Sequence, residues 1–399
     1  MARGGTDSHR DEVRVFGNTV AVLQYSAAKK NGCDTYRAVF RDAATGREHA
    51  TAEVAGAVSV ETWQGRPALV ARCDGTVPAS GTNAARHAIT VTAFDENGRQ
   101  IGTAEVAGGE LGSQETMIDG RVVRSGPDTQ GTYRIWVRPV GAPAPGTPVH
   151  TCDVRGDNSC NRPIEASGET AAFTAQTLFV TEPGGTEGLD HLRAVDPATG
   201  QTRWSTATVQ APTGAPTVDR IQGKTPERRA VVVGSAGDKV VLGWYGHEET
   251  AKYVGGPYYL GLYDAMSGRL VGSGPAPTAE SVEDAALHSD ASTIYLYASG
   301  FAAAWDMATG ALLWQQTESE RPIHVFAAAN GAAYAAADAS AGMDKRTQVT
   351  ESVVINARTK AVLTESGPSG EGIPQVAANG YATVETPDRI WVFAPRPVT

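Results

Sequence analysis

The stretch AVDPATGQTRW, Ala194 to Trp204, returns as AAWDMATGALLW, Ala303 to Trp314. Both place an Asp, a Thr-Gly pair and a Trp at the same spacing. Weaker copies surround them. FRDAATGREHA carries Asp42, Thr45 and Gly46; AFDENGRQIG, one residue shorter, carries Asp95 and Gly98. LYDAMSGRLVG carries Asp264, Ser267 and Gly268, and VINARTKAVLT keeps Asn356 and Thr359. The Asp-to-Asp gaps are 42 residues from 264 to 306 and 50 from 306 to Asn356. A repeat of this length signals stacked or radial units, each one supersecondary motif.

The residues explain the phrase. Asp side chains accept backbone N–H groups inside a turn. Gly supplies the positive φ that a tight hairpin requires. A Trp on the outgoing strand offers a broad ring to a neighbouring unit. Around each turn lie short β-rich runs such as TVAVLQY, TLFVTE, KVVLGWY and TIYLYA. Val, Ile, Tyr, Phe and Trp favour strands, and Gly, Asp and Asn punctuate them. Four strands per unit of this length describe a β-propeller blade. The expected fold is all-β, with eight four-stranded antiparallel blades; seven is the alternative. Units begin near Val13, Val58, Thr116, Gly168, Arg229, Glu283, Pro322 and Gly372. The third carries a Pro-rich turn, in YRIWVRPVGAPAPGTPV. The last has three strands, and the polar segment 1–12 is expected to supply the fourth, closing the ring by pairing the termini and hiding the edges. Residues 13–399 then form one domain.

The full phrase A-x-D-x-x-T-G-x-x-x-W resembles the tryptophan-docking motif of the PQQ-binding-like, quinoprotein-type β-propeller repeat family. Ala194, Asp196, Thr199, Gly200 and Trp204 match it, as do Ala304, Asp306, Thr309, Gly310 and Trp314. The resemblance covers nearly the whole chain and implies fold more than function. The family includes quinoprotein dehydrogenases, a lipoprotein scaffold of outer-membrane assembly, and sensor domains. In the dehydrogenases an adjacent Cys-Cys disulfide packs on the quinone and calcium is bound nearby. This chain has no adjacent cysteines and no CxxCH haem site. The scaffold or sensor branch is therefore the expectation, with no catalytic residue, cofactor or metal; a PQQ-dependent dehydrogenase and a glycan-binding adhesin or lectin are the alternatives. Seven lysines against 27 arginines in an Ala-rich chain suit a GC-rich bacterium such as an actinobacterium.

Charge and cysteines narrow the class. A net charge of −10 opposes nucleic-acid binding, which needs a basic footprint. No apolar run reaches 18 residues, so no membrane span is expected, and MARGGTDSHRDE lacks the apolar core of a signal peptide. Cys33, Cys73, Cys152 and Cys160 lack zinc spacing and read as disulfides, Cys33–Cys73 and Cys152–Cys160. Disulfides imply an oxidising compartment. The chain is thus expected outside the cytoplasm, in the cell envelope, with an anchor preceding Met1; a cytoplasmic location is the alternative.

Function is sought in connecting loops. The longer b–c connections are expected at 26–35, 72–87, 182–190, 245–259 and 338–350, all on one face, which marks a binding surface on a rigid scaffold. The fifth unit concentrates Trp244, Tyr245, His247, Tyr253, Tyr258 and Tyr259, residue types enriched at protein contacts. Packing of Trp244, Tyr258 and Tyr259 between blades is the other reading. The eight histidines show no pair at ligand spacing.

Overall fold

The computed structural model describes residues 12–393, except 78, 80–83, 108–113, 128–131, 141, 143–145, 153–172, 175, 183–190, 216–227, 247–258, 275–285, 291, 299–300, 318, 322, 339–349, 369–374, 377–379 and 386–389. The described residues form seven four-stranded sheets and one three-stranded sheet. All are antiparallel, with neighbours in chain order. Sheet 1 holds β1 (Glu12–Phe16), β2 (Thr19–Lys30), β3 (Cys33–Asp42) and β4 (Glu48–Ala55). Sheet 2 holds β5 (Ala57–Trp63), β6 (Arg66–Val77), β7 (Arg86–Phe94) and β8 (Gln100–Ala107). Sheets 3 to 7 begin with β9 (Gln114–Ile118), β13 (Phe173–Thr174), β17 (Arg228–Ala236), β21 (Ala286–Ser289) and β25 (Ile323–Ala329). Sheet 8 has β29 (Gln375–Val376), β30 (Ala382–Glu385) and β31 (Ile390–Phe393). Each of these first strands starts within a few residues of a unit start read from the repeat. No helix among the described residues is long and apolar enough to cross a membrane.

The core lies between consecutive sheets. Strand side chains alternate, so a sheet can bury one row against the sheet before it and the other against the sheet after. Phe16, Leu23 and Phe40 of sheet 1 meet Leu69, Ala71 and Phe94 of sheet 2. Val70, Val91 and Ala93, on the opposite face of sheet 2, meet Val122 of sheet 3. Sheets 5 and 6 share Val241, Leu260, Leu262, Leu296 and Trp305. Sheet 1 also touches sheet 8: Val13, Val15, Val20 and Ala43 pack with Tyr381.

Glu12 belongs to β1, which pairs with β2 in the register Glu12 to Leu23. The segment expected to close the ring, residues 1–11, lies outside the described residues. Two expected loops are partly strand. Residues 26–35 continue β2 and β3 to a two-residue turn at Asn31 (φ 53°) and Gly32 (φ 92°). In 72–87, β6 runs on to Val77 and β7 starts at Arg86. Ala, Lys and Asn have weak strand preference, so these stretches read as loops; the Asn-Gly pair is nonetheless a strong hairpin signal.

Candidate interaction surface and the clasps behind it

Each repeated turn is closed by its own Asp. The Asp306 carboxylate accepts the Thr309 N–H and hydroxyl, both at 2.9 Å. Asp42 accepts the same two groups of Thr45 at 2.7 Å, and Asp264 accepts those of Ser267. Asp196 accepts the N–H groups of Ala198 and Thr199. Gly46, Gly98, Gly200, Gly268 and Gly310 all have φ of 70–75°. In the degenerate copy, Asn356 closes the turn and Lys360 takes the glycine position at φ 58°.

The residue after the Asp joins one sheet to the next. The Trp204 indole donates to the Ala265 carbonyl at 3.0 Å. The Thr177 hydroxyl donates to the same carbonyl, and the Ala265 N–H donates to Asp238 in its own sheet. Trp314 repeats this one step on, donating to Ala357 at 2.7 Å while the Ala357 N–H reaches Gly331. The backbone of one residue thus ties an outer strand to the following sheet, and the indole ring fills the gap. Trp204 lies between Phe179 and Tyr263, with centroids 5.7 and 6.3 Å away.

Other sheets reach the same end with residues the motif does not reveal. In sheet 1, Ala50 stands at the Trp position. Phe40 fills the space, and His49 Nε2 lies 2.8 Å from the Glu96 carbonyl, the counterpart of Ala265. A carbonyl only accepts, so Nε2 carries the proton. In sheet 5 the Trp position is Gly272, and the ring comes instead from Trp305 of sheet 6, packed on Gly274. Asp290 holds its own turn through Ser292 and Thr293 and accepts the Gly331 N–H of sheet 7 at 3.0 Å. Only the recurrence of the Asp-plus-one carbonyl points to His49; no sequence signal marks Trp305 or Asp290.

These clasps carry charge and set an acid response. The Thr309 N–H, the Arg358 guanidinium and the Thr309 hydroxyl hold Asp306 down to about 2. Arg358 reaches it from the next sheet at 2.8 Å. At Asp196, burial pushes the carboxyl up, but the Ala198 N–H, the Arg203 guanidinium and the Thr199 N–H outweigh it and leave the group lowered. Burial, with a smaller contribution from His324, pushes His288 on β21 down to about 4. At His288 and Asp306 the unfolded chain binds more protons, so stability rises with pH and is lost as pH falls. His288 acts as pH drops from about 6.5 to about 4, and Asp306 from about 4 to about 2. The urea midpoint should therefore fall in two stages. His288→Gln should make the first stage shallower, leaving the part due to His324, and Asp306→Asn the second, leaving the part due to Asp196. A midpoint constant from pH 6.5 to pH 2 contradicts this.

The opposite ends of the strands form the candidate surface. There the β2–β3 and β6–β7 hairpins run past the ends of β1 and β5 and are joined by the Cys33–Cys73 disulfide. The Thr76 N–H donates to the Asn31 carbonyl at 3.0 Å. Gly75 permits that approach, since a Cβ there would lie 1.9 Å from the same oxygen. Polar side chains pair within an arm or with a neighbouring strand: Lys29 with Asp34, Lys30 with Glu53, His87 with Asp74, and Arg86 with Glu105.

Of the fifth unit's aromatic cluster, the structure describes the side chains of Trp244 and Tyr259. Trp244 is 2% exposed and packs on Tyr263, so it is a core residue rather than a contact residue. Tyr259 is half-buried in β19 (Tyr259–Asp264). His247, Tyr253 and Tyr258 lie outside the described residues, as do Cys160 and the side chains of Tyr245 and Cys152.

No protein-family model matches the chain, and no curated protein matches it. Solved structures do. BamB from Moraxella catarrhalis is similar over 96% of this chain and 95% of its own, at 14% identity and a TM-score of 0.42. Chaetomium thermophilum Sqt1, solved bound to the N-terminus of ribosomal protein L10, covers 97% and 95%, at 14% identity and 0.39. The β-propeller domain of the Trilobed protease from Pyrococcus furiosus covers 93% and 92%, at 9% identity and 0.36.

Proposed function

We propose that the chain is an eight-bladed propeller of the PQQ-like repeat type, and that it serves as a non-enzymatic scaffold or sensor outside the cytoplasm. In this reading the ring closes by pairing the two ends of the chain, as the sequence leads one to expect. Sheet 8 has three described strands, and sheet 1 packs against it. The observation that carries the functional reading is the asymmetry of the two faces. On one face the repeated turns spend their polar groups on clasping neighbours. On the other, the β2–β3 and β6–β7 arms project as a disulfide-fixed ridge. A rigid projection held by a rigid frame suits partner binding, and a disulfide suits an oxidising compartment. Quinone chemistry fits poorly, because Cys33 pairs with a cysteine 40 residues away rather than with a neighbour.

The test is retention of a cell-envelope protein by the immobilised chain. Charge reversal on the ridge, as Lys29→Glu with Asp74→Lys, should abolish retention. Retention of every partner by that variant would remove this face from consideration. Dye reduction with alcohols after addition of PQQ and calcium would overturn the non-enzymatic reading.

A further inference from the structure

In sheet 7 the second residue after the turn Asn, Arg358, reaches back to Asp306 of sheet 6. The same position is alanine in sheets 1, 4 and 6, at Ala44, Ala198 and Ala308. In sheet 5 it is Met266, which is 40% exposed. Arg203 of sheet 4 comes to meet it. Its Nη2 holds Asp196, and its Nη1 lies 2.6 Å from the Met266 sulfur. Nη1 also donates to the Gln176 carbonyl and the Thr177 hydroxyl, and that hydroxyl lies 3.7 Å from the same sulfur. A thioether is a weak acceptor. Two donors from sheet 4, one of them charged, are thus aimed at an atom of sheet 5 that can hardly use them.

We propose that Met266 is a site of reversible oxidation by hydroperoxides, and that its sulfoxide completes the tie between sheets 4 and 5. A sulfur lone pair attacks one oxygen of hydrogen peroxide. The O–O bond breaks as the S–O bond forms. The proton of the transferred oxygen passes to the departing one, which leaves as water. The sulfur gives up two electrons and the peroxide takes them. The new S–O bond is strongly polar, and its oxygen is a far better acceptor than the sulfur was. Arg203 Nη1 and the Thr177 hydroxyl are in place to donate to it. Thr177 can turn its proton from the Ala265 carbonyl without stranding that group, because the Trp204 indole also donates there. A weak sulfur contact becomes a charge-assisted bond between sheets, the counterpart of Arg358 with Asp306. In a core, methionine oxidation disrupts packing. At this exposed, donor-lined seam the sign reverses, and the modified protein is the more stable one. Met307 supplies the contrast, since it packs against the core of sheets 5 and 6. The proposal is independent of what the ridge binds.

Limiting hydrogen peroxide on the full chain tests it, read by peptide mass spectrometry and by urea unfolding. Met266 should take up an oxygen before Met307 does. Its oxidation should raise the urea midpoint of wild type, and methionine sulfoxide reductase should return the midpoint to its starting value. Met266→Leu subtracts what the other methionines contribute and should show no rise. Arg203→Leu removes the charged donor, so the rise should vanish there too, each variant being compared with its own untreated form. If Arg203→Leu does not fold, Thr177→Val takes its place and should diminish the rise; if neither folds, reversal by the reductase in wild type decides. Earlier oxidation of Met307 would overturn the proposal. So would a midpoint that falls or stays level when Met266 is oxidised, or a rise that survives undiminished in Met266→Leu or Arg203→Leu.

Discussion

Gly272→Trp should lower stability by about 3 kcal/mol or more, although it restores the repeat's own consensus. Gly272 stands eight residues after Asp264, as Trp204 stands after Asp196 and Trp314 after Asp306. Consensus substitutions commonly stabilise by about 0.5–2 kcal/mol, so sequence logic alone gives the opposite sign. The packing decides. A Cβ at position 272 would lie 1.9 Å from the Gly310 carbonyl oxygen and 2.7 Å from its carbon. That obstacle is backbone, which cannot rotate away as a side chain can. The ring volume is also already supplied: Trp305, 1% exposed, occupies this interface from the other side. Its ring would be 2.3 Å from a Cβ at Gly274. Two rings cannot share a gap built for one, because interiors are packed near crystal density. Urea unfolding of the variant beside wild type settles the sign; an equal or higher midpoint would mean the interface has room that the contacts deny.

The same contrast shows what a linear reading of this chain reaches. Turns are local: the Asp, the Thr and the Gly that make one lie within five residues. Their spacing therefore displays the strand order, and each sheet starts near the position the repeat assigns. Interfaces are not local. Whether a gap is filled by Trp204 from the sheet before, Trp305 from the sheet after, or Phe40 with His49 depends on both surfaces at once. A motif held on one side is silent about its partner. The disulfide pair was legible, since Cys33 and Cys73 occupy corresponding ends of neighbouring units. The arms that bear them were not, because Ala-Lys-Lys-Asn-Gly has loop composition while its backbone follows the pairing of β2 with β3. Trp244 failed as a contact residue for a related reason. An aromatic at the end of an apolar run reads equally as surface anchor or as core, and only the neighbouring Tyr263 decides.

Trp314 offers the sharpest dissection of the clasp, because its two contributions are separable. Its ring packs near Tyr295, with centroids 6.5 Å apart, and lies under the Lys360 ammonium at 5.9 Å. Its N–H reaches the Ala357 carbonyl at 2.7 Å. Trp314→Ala deletes both and leaves a cavity between sheets 6 and 7, for an expected loss of about 3–5 kcal/mol. Trp314→Phe keeps an aromatic ring but strands the Ala357 carbonyl. A buried acceptor left unsatisfied costs about 1–3 kcal/mol, so this variant should fall between wild type and Trp314→Ala. Lys360→Met then checks the third contact. Glu320 and the Gln315 carbonyl hold that ammonium at a half-buried position; a typical hydrogen bond contributes about 0.5–1.5 kcal/mol, so its effect should be the smallest of the three. Ranked urea midpoints in the order wild type, Lys360→Met, Trp314→Phe, Trp314→Ala would establish the indole as the joint between the sheets. If Trp314→Phe matched wild type, the hydrogen bond to the Ala357 carbonyl would be incidental and ring volume alone would hold the interface. If Trp314→Ala matched wild type, the repeated phrase would have no mechanical role at this position.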